Sequence, residues 1–196
     1  MELIKRYPQL EKCSGDIENA LKLIIDTFEK GGKLLLCGNG GSAADCEHIA
    51  GELLKGFLSK RAVTDERIPE ELRKNLQGGL PAISLVSQSA ILSAFANDVE
   101  PSMVYAQLVY AYAKENDLVV ALSTSGNSKN AVNAVKVAKA MGIKTMSLTG
   151  ASDSLMSSLS DVTIKAPETE TYKVQELHLP IYHYLCAEVE NYFFKE

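Results

Sequence analysis

Apolar residues along this chain alternate between helical spacing and short continuous runs. Helical spacing is clear near the N-terminus, at Ile17, Leu21, Ile24 and Phe28. The pair Gly31-Gly32 ends that segment, and the apolar run at residues 33–37 is followed by further glycines, which predicts a buried strand. The N-terminal stripe offers more apolar surface than a small sheet must cover, so we also expect it to form an oligomer contact.

The same alternation continues to the C-terminus. Strands are predicted at 33–37, 81–86, 118–122, 144–148 and 161–165. Helices are predicted at 42–57, 89–97, from Pro101 to before Asn116, at 128–141, 152–159 and 172–194. Five buried strands separated by helices imply an α/β fold in three layers, with a parallel sheet between two layers of helices.

The segment 58–79 differs from the rest because charged residues crowd it and apolar periodicity is lost. We interpret it as a solvated insertion with a short helix after Pro69, and not as a linker, because neither flank could fold alone. The sequence therefore predicts a single domain over 1–196. Its two special parts are an N-terminal helical segment at about 1–31 and a charged insertion at about 58–79.

Composition excludes several classes of protein. Of the 196 residues, 46% are hydrophobic and 23% are charged, which is typical of one globular domain and not of a disordered chain. No apolar run approaches the length of a membrane span, and the charged N-terminus is unlike a secretory signal. The net charge of −5 disfavours a general nucleic-acid binder. The four cysteines (Cys13, Cys37, Cys46 and Cys186) form no CxxC pair, so we expect reduced structural thiols and a cytoplasmic location.

Two loops rich in small polar residues follow predicted strands. The first reads Gly38-Asn39-Gly40-Gly41-Ser42 and the second Ser123-Thr124-Ser125-Gly126-Asn127-Ser128, and each leads into a helix. Ligands of open α/β sheets bind beyond the carboxyl ends of the strands, where free N–H groups and hydroxyls can hold a phosphate. Glycines also occur in such turns for purely conformational reasons, and Ser128 equally suits a helix N-cap. Neither loop is a Walker A or a GxGxxG motif, because no GK[ST] follows and position 43 is Ala, so nucleotide cofactors are disfavoured.

Few histidines are present, and two of them have partners at helical spacing. His48 and Glu52 are four residues apart, while Gln175 and His183 are eight apart on the predicted terminal helix. This set could bind a divalent ion such as zinc, although glutamine is an uncommon zinc ligand, or it could serve as a general acid/base pair. The His48–Glu52 pair alone could also be an ordinary surface hydrogen bond. No role is assigned to His178.

The stretches CGNGGSAADCEHIAGEL, PAISL, AND, ALSTSGNSKNAV, SLTG and VQELHLPIYH, in this order, resemble the sugar isomerase (SIS) domain family over nearly the whole chain. The resemblance implies a flavodoxin-like five-stranded sheet and a homotetramer with active sites between subunits. It implies sugar-phosphate contacts from Asn39, Gly40, Gly41, Ser42, Asn97, Asp98, Ser123, Thr124, Ser125, Ser128 and Gln175. It also implies a zinc site made by His48, Glu52, Gln175 and His183.

Within that family, the resemblance is to the isomerase subgroup. It implies an aldose–ketose isomerase acting through an enediol(ate), with sedoheptulose 7-phosphate as the expected substrate, Glu52 as the base and His183 as an acid/base. Two departures bear on the choice of sugar: the long 58–79 segment, and Tyr172 where the family has an acidic residue. Two alternatives stay open, namely an isomerase of a different phosphosugar and a non-catalytic sensor or adaptor of the kind that binds a replication initiator.

Overall fold

Five strands form one parallel sheet in the computed structural model, which describes residues 1–195. The strands are β1 (Leu34–Cys37), β2 (Ala82–Ser84), β3 (Leu118–Leu122), β4 (Lys144–Thr149) and β5 (Val162–Lys165). Their order in the sheet is β2-β1-β3-β4-β5, which is the flavodoxin-like order. Leu34 at the start of β1 pairs with Ala82 of β2 on one side and with Leu118 of β3 on the other. The predicted parallel α/β fold is confirmed.

Helices surround the sheet within residues 1–195. They are α1 (Glu2–Arg6), α2 (Ser14–Glu29), α3 (Gly41–Leu54), α4 (Glu70–Arg73), α5 (Ser89–Asp98), α6 (Val104–Tyr112), α7 (Lys129–Ala140), α8 (Leu155–Leu159) and α9 (Thr171–Phe194). None of them is both long enough and apolar enough to cross a membrane. The short α4 confirms the helix expected after Pro69.

The sheet separates two apolar clusters, and the alternation of side chains along each strand feeds both of them. Leu34 and Leu36 of β1 lie in the cluster formed with α2, α3 and α9. Leu35 and Cys37 lie in the opposite cluster, formed with α6 and α7. Because both faces are covered, β1 and β3 are apolar at every position, which is why they were recognisable as buried strands. All four cysteines are buried and free of disulfides, as expected.

Two expectations need correction. The second strand stops at Ser84 and continues as a 3-10 turn over Leu85–Ser87, although apolar residues extend to Val86. The apolar stripe of α2 is not free to form the expected oligomer contact, because Ile17, Ile24 and Phe28 are buried in the core of their own chain. These side chains cover the sheet and pack beside α9. The expectation compared the stripe only with the area of the sheet and left out the contact with α9.

Most of the charged insertion is exposed, as expected, and Arg61 is its buried exception. Its two ends are joined by an antiparallel bridge between Ala62 and Gln77. Arg61, at a positive φ of 45°, is only 4% exposed and is buried between α3 and α9. A charged side chain is buried only when its charge and its donors are matched, and the acceptors of Arg61 lie beside the candidate site.

Candidate active site

The two polar loops lie next to each other because β1 and β3 are neighbours in the sheet. Chain connections leave β1 and β3 in opposite directions across the sheet, towards β2 and β4 respectively. Such a switch point leaves a crevice at the carboxyl ends of the two strands, which is where open α/β sheets bind their ligands. The loops lie at equivalent strand ends, as expected, and the strand order makes them adjacent.

The loop after β1 is shaped by glycine. Gly40 has a positive φ of 55°, and a Cβ added to Gly41 would lie 2.6 Å from Nε2 of Gln175. Gln175 of α9 therefore lies directly over the first residue of α3. Below the loop, the buried Tyr105 hydroxyl donates a 2.6 Å hydrogen bond to the Gly38 carbonyl, and Ser42 is buried in the first turn of α3.

The loop after β3 presents a cluster of hydroxyls. Ser123 Oγ lies 2.9 Å from Ser128 Oγ and 3.5 Å from Ser125 Oγ. Ser128 occupies the N-cap position of α7, as the alternative interpretation allowed, but its side chain makes no capping hydrogen bond and is directed to Ser123 instead. Gly126 turns the loop at a positive φ of 64°, and Thr124 is half-buried beside the start of α9.

A pair of asparagines ties the two loops together. The side-chain amides of Asn39 and Asn130 exchange two hydrogen bonds of 2.9 Å, each donating to the other's oxygen. Asn130 was missed by the sequence analysis, although it lies within the motif that carries the resemblance. Asn97 and Asp98 lie exposed at the end of α5 and hydrogen-bond to each other at 2.8 Å. In residues 1–195 no hydrogen bond joins that pair to either loop.

His48, Glu52 and His183 converge on one point between α3 and α9. His48 Nε2 lies 3.2 Å from Glu52 Oε1 and 3.4 Å from His183 Nε2. The two imidazole rings meet edge to face, with centroids 4.9 Å apart. The carboxylate and the second imidazole thus come from stretches about 130 residues apart and flank the same nitrogen.

The surroundings of these groups favour proton transfer. Burial and the neighbouring His48 lower the pKa of His183, whereas Glu52 opposes that shift, so the neutral imidazole, which can accept a proton, is favoured. Glu52 Oε2 is buried and has no hydrogen-bond partner among the described residues, and its nearest charged neighbour is Lys55, whose Nζ lies 3.6 Å away.

Two further residues hold His48, and the sequence analysis did not select them. The hydroxyl of Tyr182, a buried residue of α9, lies 2.9 Å from His48 Nδ1 and 3.1 Å from Asp45 Oδ1. Burial and the nearby Asp45 raise the pKa of Tyr182, so its hydroxyl keeps its proton. Asp45 could have been found from its i,i+3 spacing to His48, whereas nothing local distinguishes Tyr182 from other tyrosines.

Arg61 of the insertion holds the end of α3 against α9. Its guanidinium donates to the carbonyls of Glu52 and Leu53, at 2.9 and 2.7 Å, and to Glu190 Oε1 at 2.6 Å. Burial alone would raise the pKa of Glu190, but two backbone N–H groups and Arg61 outweigh burial and lower it. This buried ion pair fixes the turn of α3 that carries Glu52.

The side chains of His48, Glu52 and His183 are also candidates for holding a metal ion. In residues 1–195 no group of three or more His, Cys, Asp or Glu side chains has the arrangement of a complete metal site. Two imidazole nitrogens and a carboxylate are nevertheless a donor set suited to zinc, and their separations of 3.2 and 3.4 Å are near the roughly 3.4 Å between ligands of a tetrahedral ion. Gln175, the fourth expected ligand, lies at Gly41, roughly 10 Å along α3 from His48.

The sequence of this chain is similar to a known family and to named proteins. A family model described as SIS domain matches residues 3–150. Phosphoheptose isomerase from Helicobacter pylori is 38% identical over 196 residues, covering 98% of this chain and 94% of the relative. Phosphoheptose isomerase from Aliarcobacter butzleri is 37% identical over 182 residues, covering 93% and 88%.

Comparison with a solved structure shows that the similarity extends to the fold. Phosphoheptose isomerase GmhA from Neisseria gonorrhoeae superposes with a TM-score of 0.80 and is 29% identical, with 97% of this chain and 94% of that chain covered. The family model spans most of the chain, and the two curated relatives extend the similarity to nearly all of it. The chain therefore belongs to the SIS domain family, with phosphoheptose isomerases among its relatives.

Proposed function

We propose that the protein is an aldose–ketose isomerase that interconverts sedoheptulose 7-phosphate and D-glycero-D-manno-heptose 7-phosphate through an enediol(ate). The observation that carries the proposal is the convergence of Glu52 and His183 on His48, on the helix that begins at the first polar loop. The relatives named phosphoheptose isomerase support the same reaction.

The polar loops would hold the phosphate. Ser123, Ser125 and Ser128 supply hydroxyls, the N-terminus of α7 supplies N–H groups and a favourable dipole, and Gln175 closes the side next to Gly41. Neutral donors suffice for a phosphomonoester when several of them converge. Asn97 and Asp98 remain proposed substrate contacts on the strength of the family resemblance alone.

The spacing of the two ends fits a long sugar phosphate. His48 follows Gly41 by seven residues of α3, so the imidazole end lies about 10 Å from the loop along the helix axis. An extended seven-carbon chain of single bonds about 1.5 Å long, with its phosphate, spans about the same length. A triose phosphate held at the loops would not reach the acid/base groups, so the geometry favours a substrate of heptose size.

The chemical step moves hydrogen within one substrate molecule and needs no external oxidant. Glu52 takes the proton from C1 of the ketose, the C2 carbonyl oxygen gains a proton from His183, and an enediol results. Return of a proton to C2 and loss of the O1 proton then give the aldehyde. The base is an oriented carboxylate and the acid a titratable imidazole, as general acid–base catalysis requires.

We also propose a zinc ion at this end of the site, held by His48, Glu52 and His183; Gln175, the further ligand that the resemblance implies, lies at Gly41 at the other end of α3 in this chain. When bound, zinc would supply Lewis-acid polarisation of the substrate carbonyl. The donor chemistry and the ligand separations given above support this proposal. Zinc content per chain, compared between the wild type and His48→Ala, tests it, and equal zinc in both would exclude these ligands.

The protein is further proposed to be a cytoplasmic homotetramer with its sites between subunits. Four buried free thiols suit a reducing compartment. Leu54 and Leu58, which are 53% and 73% exposed, lie just beyond Glu52 and offer apolar surface that a second subunit would cover. Sedimentation measurements test the subunit number.

Turnover of sedoheptulose 7-phosphate in D₂O tests the reaction and the base together. We expect the wild type to form the aldose with deuterium at C2 and to exchange one C1 hydrogen of the recovered ketose, while Glu52→Gln loses about 10²- to 10⁴-fold in kcat and still binds substrate. Glu47→Gln, the same change on the exposed side of α3, is the matched control and should turn over normally. Near-normal turnover by Glu52→Gln would refute the base. Tight binding of ketose phosphates without turnover by the wild type would favour the sensor instead.

A further inference from the structure

Asp45, Tyr182 and His48 form a chain of polar atoms directed at the site. The Tyr182 oxygen lies 3.1 Å from Asp45 Oδ1 and 2.9 Å from His48 Nδ1, and the side chain of Tyr182 is only 2% exposed. Asp45 and His48 are three residues apart on α3 and therefore share a face, while Tyr182 reaches them from α9. The rings of Tyr182 and His48 meet edge to face at 5.4 Å.

Counting protons along this chain fixes the direction of each hydrogen bond. The Tyr182 hydroxyl has a single proton, and a carboxylate can only accept. The tyrosine therefore donates to Asp45, which leaves its oxygen as the acceptor facing His48. In the opposite arrangement a lone pair of the Tyr182 oxygen would face the half-buried Asp45 carboxylate with no proton between them, which is costly.

We propose that Asp45 and Tyr182 are positioning residues that keep the proton of neutral His48 on Nδ1, so that Nε2 is the nitrogen presented to the substrate or to a cation. Nε2 faces Glu52 Oε1 at 3.2 Å and His183 Nε2 at 3.4 Å. The Glu52 carboxylate competes for this proton, because Nε2–H would donate to Oε1 across the same 3.2 Å, and the inference is that the acceptor on the Nδ1 side prevails.

This arrangement orients the imidazole and leaves Glu52 Oε1 without a hydrogen bond from His48. Partners of this kind on the far nitrogen of a histidine commonly change activity or metal affinity by about 10- to 100-fold when they are removed. The catalytic part of the inference rests on the proposed function. The tautomer itself does not, because it is a property of the resting protein.

The tautomer can be measured directly because the chain has three histidines. In chelator-treated protein labelled with ¹⁵N-histidine, at a pH where the ring is neutral, two-bond nitrogen–proton correlations distinguish Nδ1–H from Nε2–H. We expect Nδ1–H at His48, and a shift to Nε2–H in Tyr182→Phe. Buried His178, whose Nε2 lies 3.2 Å from the Thr149 carbonyl oxygen, serves as the internal Nε2–H reference.

Activity gives the second readout. Tyr182→Phe should lower kcat by about 10- to 100-fold with little change in KM, because the substrate contacts remain. Tyr184→Phe removes the same atom two residues along α9 and should change neither kcat nor the His48 tautomer. Neutral His48 found as Nε2–H in the wild type, or unchanged in Tyr182→Phe, would overturn the inference. A tautomer shift in a protein that turns over no sugar phosphate would refute the proposed function and leave the inference standing.

Discussion

A buried histidine should make the stability of this protein sensitive to mild acid. His178 is fully buried on α9, its Nε2 lies 3.2 Å from the Thr149 carbonyl oxygen, and its Nδ1 has no hydrogen-bond partner among the described residues. Burial lowers the pKa of His178 to about 4, although the bond to Thr149 opposes the shift. The ring is therefore neutral in the folded protein well below the pH at which it gains a proton in the unfolded chain.

The sign and size of the effect follow from this difference. In the unfolded chain the pKa of histidine is about 6.5, so between about pH 6.5 and 4 the unfolded state binds one proton more than the folded state. The contribution of neutral His178 to the free energy of unfolding is fully present above pH 6.5 and is lost as the pH falls from 6.5 to 4. Its slope is about 1.4 kcal/mol per pH unit, which amounts to about 3 kcal/mol over the whole window.

Chemical denaturation followed by circular dichroism measures this contribution, since the chain has no tryptophan to report unfolding. The free energy of unfolding is compared between the wild type and His178→Gln from pH 7.5 to 4.5 at one protein concentration. Glutamine can still donate to Thr149 but does not titrate, and contributions from other groups such as Glu190 cancel in the comparison. We expect the wild type to lose about 2 to 3 kcal/mol more than the variant. Parallel curves for the two proteins would refute the reasoning.

Two further predictions concern α3. Arg61→Gln leaves Glu190 buried without its charge partner and should cost about 3 to 5 kcal/mol of stability in denaturant unfolding. The double change Arg61→Met with Glu190→Leu should recover most of that loss. A loss of under about 1 kcal/mol in the single variant would contradict this prediction. Gly41→Ala places a Cβ 2.6 Å from Gln175 Nε2, so the KM for sugar phosphate should rise several-fold in a folded protein. Gly51→Ala, where nothing lies within 4 Å, should keep the KM and add about 0.5 to 1 kcal/mol of stability; the same KM in both variants would count against a role of Gln175 in binding.

Local patterns were sufficient for the sheet and for the two loops. The strands β1 and β3 are buried on both faces, so their continuous apolar runs carried an unambiguous signal. The loops were recognisable because glycine and hydroxyl residues are concentrated where strands give way to helices. The pattern failed for β2, whose apolar run continues into a 3-10 turn, because a residue's burial does not specify its backbone conformation.

The contacts that complete the site were beyond local patterns. Tyr182 reaches His48 across 134 positions of sequence, and Glu190 reaches the insertion across more than 125. Arg61 lies in a stretch whose charge density indicates a solvated loop, and only the buried carboxylate of Glu190 explains why it is buried. A single sequence states which residues are available for pairing, but not which distant helices face each other.

The packing of α3 against α9 is what converts these pairs into a site. Gly41 lies against Gln175 and His48 against Tyr182, and both pairs are separated by the same 134 positions of sequence. A constant offset means that the two helices run side by side in the same direction and advance at the same rate. The distance between the loop after β1 and the imidazole end is thus fixed twice, by seven residues on each helix, at about 10 Å. If the substrate is held at both ends, as proposed above, a sugar of another length would require a change in both helices and not in a single residue.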